Sequence, residues 1–452
     1  MIAIVGGGIA GLAAAYELAS RGRPFTLFEA SGRIGGLIRT ERIDGFTIEA
    51  GADSMLAQKR AALDLCAELG LTSRLLEMRR PRTAFALHRD RLYPLPSPSL
   101  LGIPATARGL ATYALLSPAA RLRLAMEPLV RQRGTNDESI AAFFRRRFGP
   151  ATVDLLAQPL LGGIHAGDVE SLSLRALFPR LAEAERRGSV LGWVRRATAA
   201  NGRTSAFQSV AGGMGELVET IHARLPPEAI RLEAPVLALA RSDSGWRVTT
   251  PSGTCTARAV ILACPARAAA PMLAPVDSAA ADLCRAVRYV STVSVALGWP
   301  RAAVAHPLAG SGFVVARRGS RRRITACTWV SSKWEARAPA GEVLLRAYLG
   351  GAHDPQAVEL SDEAILDVAT RELSEILSIG APPQLARVYR WRDAGAQHEV
   401  GHLARVAALE TRLAAHPGLF VTGSGFRAVG IPDCIADGRA VAAQAGHLTH
   451  AL

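Results

Sequence analysis

Gly6-Gly7-Gly8-Ile9-Ala10-Gly11 is the first constellation with chemistry in it. The apolar run Ile2-Ala3-Ile4-Val5 precedes it, and Glu29 closes the next apolar stretch. That order predicts a strand, a glycine turn, a helix, and an acid at the tip of a second strand. Gly6 permits the tight turn, Gly8 lets the backbone approach a pyrophosphate, and Gly11 lets helix and sheet pack closely. The helix N-terminus offers free N–H groups and a partial positive charge to phosphates. Glu29, followed by Ala30, can accept both hydroxyls of an adenosine ribose, and its charge repels a 2′-phosphate. Together these residues predict a dinucleotide site.

The chain continues as Ser31-Gly32-Arg33-Ile34-Gly35-Gly36-Leu37. A glycine pair behind an arginine is not part of the nicotinamide pattern; it resembles the amine-oxidase-like FAD superfamily. The resemblance implies FAD as cofactor, with Arg33 facing phosphate oxygens and Gly36-Leu37 lying against the cofactor. It also implies that the Val236 backbone meets the adenine. After a short strand, Gly423 and then Val429-Gly430-Ile431 would bring a helix N-terminus to the flavin ring, where it stabilises negative charge on the reduced form.

Further motifs resemble oxygen-dependent protoporphyrinogen oxidases and their bacterial coproporphyrinogen-oxidising relatives. They are Val429-Gly430-Ile431-Pro432-Asp433-Cys434-Ile435 with Asp437-Gly438-Arg439, and Gly162-Gly163-Ile164-His165-Ala166-Gly167-Asp168. Gly51-Ala52-Asp53-Ser54 resembles the segment beside the isoalloxazine, although the family usually has proline at Ala52. Arg390-Trp391 with Val400-Gly401-His402 resembles the stretch that places a tryptophan, here Trp391, against the flavin. Gly163, Ile164 and His165 would then touch substrate. The arginine thought to meet a propionate in eukaryotic members falls on Leu100, so Arg91, Arg89 or Arg108 would have to substitute.

The activity implied is oxidation of protoporphyrinogen IX to protoporphyrin IX in three two-electron steps, with hydride passing from a meso carbon to flavin N5. Oxygen, or another electron acceptor, would reoxidise the flavin. Coproporphyrinogen III is the alternative substrate, and other flavin amine oxidases or desaturases follow. A flavin-binding porphyrin carrier is the non-enzyme alternative. No side-chain base is assigned, and hand-over of product to a ferrochelatase is the expected partnership.

These residues need a scaffold. The expected fold class is α/β, with a Rossmann-type FAD-binding domain assembled from residues 1–86, 208–281 and 411–452. Residues 87–207 read as a helical insert facing a membrane or the substrate, with 100–103 and 110–116 as its apolar patch. Residues 282–410 read as a mixed-sheet substrate domain, with strand-like runs at 290–298, 324–330 and 343–349. Residues 230–240 read as one strand, followed by a hairpin about Pro251-Ser252-Gly253.

Composition narrows the partners. Net charge is +14, yet Lys59 and Lys333 are the only lysines, and the arginines are dispersed without a nucleic-acid module. Nucleic acid is therefore not expected; an acidic substrate or an anionic membrane surface suits the charge. The six cysteines are scattered without a Cys-x-x-Cys pair, and the histidines lack ligand spacing, so neither disulfides nor a metal are expected. The first strand begins at Ile2 and no apolar run is long enough to span a bilayer, so the expected location is the cytoplasm.

Overall fold

A computed structural model gives the fold and describes residues 1–132, 136–200, 205–317 and 320–448. A five-stranded, wholly parallel sheet runs in the order Ile230–Arg231, Phe25–Phe28, Ile2–Val5, Ala259–Leu262, Leu419–Val421. Its central strands, IAIV and AVIL, are buried along their whole length, as strands covered on both faces must be. Helix Ile9–Ser20 covers one face and packs against the C-terminal helix Ile431–Leu448.

A three-stranded antiparallel meander, Ala238–Ser242, Gly245–Thr250 and Gly253–Ala257, stands beside this sheet. The single strand expected over 230–240 is broken in two. Between the halves the chain wraps round Glu29: Glu233 N–H donates to Ser31 O, Ala234 N–H donates to Glu29 O, and Glu233 adopts φ 52°.

The second large sheet is seven-stranded and mixed, in the order Leu385–Ala396, Tyr289–Pro300, Glu342–Gly350, Ala326–Trp329, Gly312–Val315, Ala84–His88, Arg91–Pro94. Helix Asp362–Leu377 buries Ile365, Ala369, Leu373 and Leu377, one apolar stripe at four-residue spacing, against it. Ala84–His88 pairs in parallel with Gly312–Val315, so a domain boundary at 86/87 would fall inside a strand of this sheet.

The region between is mainly helical. Helices Pro118–Ala125 and Ile140–Phe148 start at Ser117 and Ser139, whose hydroxyls accept the N–H three residues on. Phe143 packs edge-on against Phe144 and Phe148, and the Glu127–Arg147 ion pair of this region is fully buried. The apolar residues expected to face a membrane point inward instead: Ile103, Tyr113, Leu115 and Leu116 belong to this core. Leu122, Met126 and Leu129 are left on the surface, 64%, 45% and 78% exposed. Among the described residues no helix is long and apolar enough to cross a membrane.

The arginine runs are locally paired, which leaves the net excess on other arginines. Arg145, Arg146 and Arg147 each pair with a glutamate, Arg322 with Asp90 and Glu375, and Arg323 with Asp354.

Candidate cofactor and active site

Strand Ile2–Val5 ends at Gly6, whose φ of 110° turns the chain toward helix Ile9–Ser20. A Cβ on Gly11 would stand 1.9 Å from the Gly6 carbonyl oxygen, so only glycine lets the helix start this close to the strand. No side chain caps the helix, and nothing lies within 4 Å of where a Gly8 Cβ would be. The first helical N–H groups therefore open into space that suits a phosphate. Ile9 and Ala10 pack on Ala428 and Cys434 beneath it.

Glu29 is held by the turn it serves. Its Oε2 accepts the Gly7 N–H at 2.7 Å, while its Oε1 accepts both the N–H, at 2.8 Å, and the hydroxyl, at 2.7 Å, of Ser31, which leaves a lone pair on Oε2 for a ribose hydroxyl. Ala30 is exposed next to it. The second glycine loop lies over the first: Gly35 N–H donates to Gly7 O, and the Cβ position of Gly36 is 3.0 Å from Gly8 Cα. Arg33 donates Nη1 to the carbonyls of Ile34 and Ile38 and Nη2 to that of Gly36, so its guanidinium braces this loop from within. Leu37 stays 44% exposed beside the buried Ile38. Val236 sits half-buried in the extended stretch before Ala238–Ser242.

Each residue of the Asp437-Gly438-Arg439 motif has its own contacts. Asp437 accepts from Thr422 Oγ1, Gly423 N–H and Arg427 Nε, and thereby ties down the loop that follows strand Leu419–Val421. Gly438 lies against the Ala10 carbonyl, 2.2 Å from where a Cβ would be. Arg439 bridges Glu17 and Glu68, at 2.7 Å to each. Val429 and Gly430 lead into helix Ile431–Leu448, where Asp433 accepts the Gly430 N–H and pairs with Lys59 at 2.7 Å.

Residues 49–53 are gripped from the seven-stranded sheet. Arg346 Nη1 donates to Glu49 O at 2.5 Å and Gly51 O at 2.9 Å, while Ser294 Oγ and Trp391 Nε1 both donate to Ala50 O. Ala52 is half-buried, and Ser54 Oγ donates to Asp53 Oδ1. Asp53 also receives Lys333 at 2.8 Å and Arg346 at 3.3 Å. Burial works to raise the Asp53 carboxyl, but the two cations overcome it and hold it well below the usual carboxylate range. Glu49 moves the other way, raised by burial against bonds from Met214 N–H and Thr40, with Arg337 at 4.0 Å. Three cations thus face two carboxylates, and the surplus favours negative charge on whatever lies beside the segment.

The tentative substrate residues fall in two places. Gly163 and Ile164 are exposed, Ile164 by 62%, at the end of the helical run that passes through Val153–Gly162 into Gly163–His165. The His165 carbonyl accepts Gln397 Nε2, just beyond the strand that carries Trp391. Burial, with His398 nearby, pushes the His165 ring down to about 4, so it is neutral at neutral pH. Arg91 lies elsewhere, on the edge strand Arg91–Pro94, with its guanidinium over the Tyr93 ring. Arg89 lines a separate cleft of about 450 Å³ with Arg321, Arg322 and Arg371, and Arg108 is exposed on helix Ala107–Ala111.

Sequence reasoning missed Lys333, Arg346, Arg337 and Ser294. One signal for Lys333 was present: in a chain with two lysines, each ends in a carboxylate pair at a segment expected to meet the cofactor. Among the described residues no group of three His, Cys, Asp or Glu side chains could hold a metal ion.

The family model for flavin-containing amine oxidoreductases matches residues 9–445. Coproporphyrinogen III oxidase of Bacillus subtilis (strain 168) is 37% identical, covering 98% of this chain and 97% of that one. Protoporphyrinogen oxidase 2 of Arabidopsis thaliana, chloroplastic/mitochondrial, is 26% identical over 97% of this chain and 92% of its own. A crystal structure from Exiguobacterium sp. 255-15, provisionally assigned as a protoporphyrinogen oxidase, superposes with a TM-score of 0.87 at 32% identity, covering 98% of both chains. The open cradle at Gly8, the free lone pair on Glu29 Oε2 and the surplus charge behind residues 49–53 fit FAD. The chain belongs to the flavin-containing amine oxidoreductase family, on its porphyrinogen-oxidase branch, and is an FAD-dependent oxidoreductase.

Proposed function

We propose that the protein oxidises coproporphyrinogen III to coproporphyrin III, with oxygen as the electron acceptor. The observation that carries this reading is the 37% identity, end to end, with a coproporphyrinogen III oxidase, against 26% with a protoporphyrinogen oxidase. The motifs alone lean toward protoporphyrinogen IX, which carries two propionates rather than four; the ranking of relatives favours the four-carboxylate substrate.

When bound, FAD supplies a two-electron hydride acceptor. The protein's part is binding and orientation. Gly6 to Gly11 and Glu29 receive the pyrophosphate and ribose, while Arg346, Ser294 and Trp391 fix the segment assigned to the flavin edge. Gly163 and Ile164 offer an open apolar surface to a macrocycle, and the neutral His165 ring stands beside it as a hydrogen-bonding group. A reversible membrane contact through Leu122, Met126 and Leu129 belongs to the same proposal, with a ferrochelatase as the partner that takes the product.

Porphyrin fluorescence after adding the FAD-loaded protein to each reduced porphyrinogen tests the substrate. Faster turnover of coproporphyrinogen supports the proposal. A tenfold preference for protoporphyrinogen, on the order of 1.4 kcal/mol in barrier, moves the protein to the other substrate. No turnover of either, with FAD still bound, rejects both.

A further inference from the structure

We propose that His398 and His402 are positioning residues for the flavin: stacked on each other, they hold the loop at residues 422–430 and so set how tightly FAD binds and how readily it is reduced. This rests on the FAD oxidoreductase reading and is independent of which porphyrinogen is the substrate.

The two rings are 3% and 0% exposed as residues and lie parallel, with centroids 3.9 Å apart and planes 10° from each other. His398 Nε2 is 2.8 Å from Ser424 O, and His402 Nε2 is 2.7 Å from Phe426 O. A carbonyl oxygen can only accept, so each ring must carry its proton on Nε2. Two donors thereby grip alternate carbonyls of one loop. The same loop leads from strand Leu419–Val421 into helix Ile431–Leu448 and is tied from its other side by Asp437.

The histidines are themselves anchored to the helical region. Ser173 N–H donates to His398 O at 2.8 Å, and Val400 N–H to Ser171 O at 2.9 Å. Asp137 accepts Gly401 N–H at 3.0 Å and Ser173 Oγ at 2.7 Å. The loop position is therefore passed from a rigid framework through two imidazoles. His402 Nδ1 is buried with no partner among the described residues, so the bond at Nε2 is the only polar contact that fixes the ring. A proton gained on either ring would bury a cation against the other.

The test compares His402→Leu and His398→Leu, which keep volume but lose the donor, with His402→Gln, which keeps an N–H at similar reach. FAD affinity is read by fluorescence quenching and the midpoint potential by dye equilibration on the loaded protein. Loss of one buried hydrogen bond predicts about tenfold weaker FAD binding in each leucine variant, with a displaced potential, and recovery to within about threefold in His402→Gln. A leucine variant that binds FAD within about twofold of wild type at an unchanged potential overturns the proposal. So does a glutamine variant as damaged as the leucine one. Should the leucine variants fail to fold, nitrogen-15 spectra of histidine-labelled wild type decide. Two neutral Nε2–H rings are expected, and an Nδ1–H tautomer or an imidazolium at either position near neutral pH overturns it.

Discussion

Asp53 is the counter-ion of the partly buried Lys333 and the buried Arg346, and that fixes what its removal does. Taking one partner from a buried pair leaves an uncompensated charge, which costs about 3–5 kcal/mol. Asp53→Asn is therefore expected to lose about 3 kcal/mol in denaturant unfolding of the FAD-free protein, whereas Ser54→Ala loses under about 1 kcal/mol. Equal losses in the two variants would remove Asp53 from this role. The buried histidines set the acid limit. Burial and the His398 ring push His402 down to about 4, with Arg405 also lowering it and Asp137 opposing, and His165 is likewise near 4. The folded protein then binds fewer protons than the unfolded chain between these values and the ordinary 6.5. Their stability is complete above about pH 6.5 and falls as the pH drops toward 4, by up to about 1.4 kcal/mol per unit for each ring. Melting temperature measured from pH 7.5 downward should fall steadily below about pH 6.5; a flat profile down to pH 5 would show that neither ring must stay neutral in the fold.

Between elements, the decisive contact is the crossing of helices Ile9–Ser20 and Ile431–Leu448. Gly438 sits so close to Ala10 O that a Cβ would come within 2.2 Å, whereas Gly446, two turns later, has its nearest such neighbours at 3.9 Å. Gly438→Ala should push the helices apart and lose about 2 kcal/mol together with FAD retention. Gly446→Ala should be neutral or gain up to about 1 kcal/mol from helix propensity. Thermal unfolding and flavin content of the two purified variants check this; like behaviour in both would deny the crossing its role. The same distinction between local and distant causes decides what could be read from the sequence. The Gly6–Gly11 turn and the buried runs at 290–298 and 343–349 announce themselves, because turn chemistry and continuous apolar burial are written in adjacent residues. Ala84–His88 does not, because what makes it part of the large sheet is Gly312–Val315, a partner far along the chain. Arg346 is harder still: a charged residue in strand Glu342–Gly350 is buried only because Glu49, Gly51 and Asp53 arrive from elsewhere to meet it.

Over the whole molecule, a net charge of +14 coexists with many arginines held in ion pairs, so the unpaired charge matters by position. Arg108 and Arg131 are exposed on the helical region that also presents Leu122, Met126 and Leu129. Partial insertion of each apolar side chain gains about 1.5 kcal/mol, and each arginine near an anionic surface about 1 kcal/mol. Together they give about 6.5 kcal/mol, a dissociation constant on the order of ten micromolar, which is reversible binding rather than anchoring. Co-sedimentation with phosphatidylglycerol vesicles at low salt is the expected outcome, weakening as salt screens the arginines. Leu122→Glu with Leu129→Glu should abolish it while leaving FAD content intact, since neither side chain contributes to the packed core. Arginine-driven binding alone would survive those two substitutions and vanish with salt, and that pattern would assign the contact to charge and leave the apolar face without a membrane role.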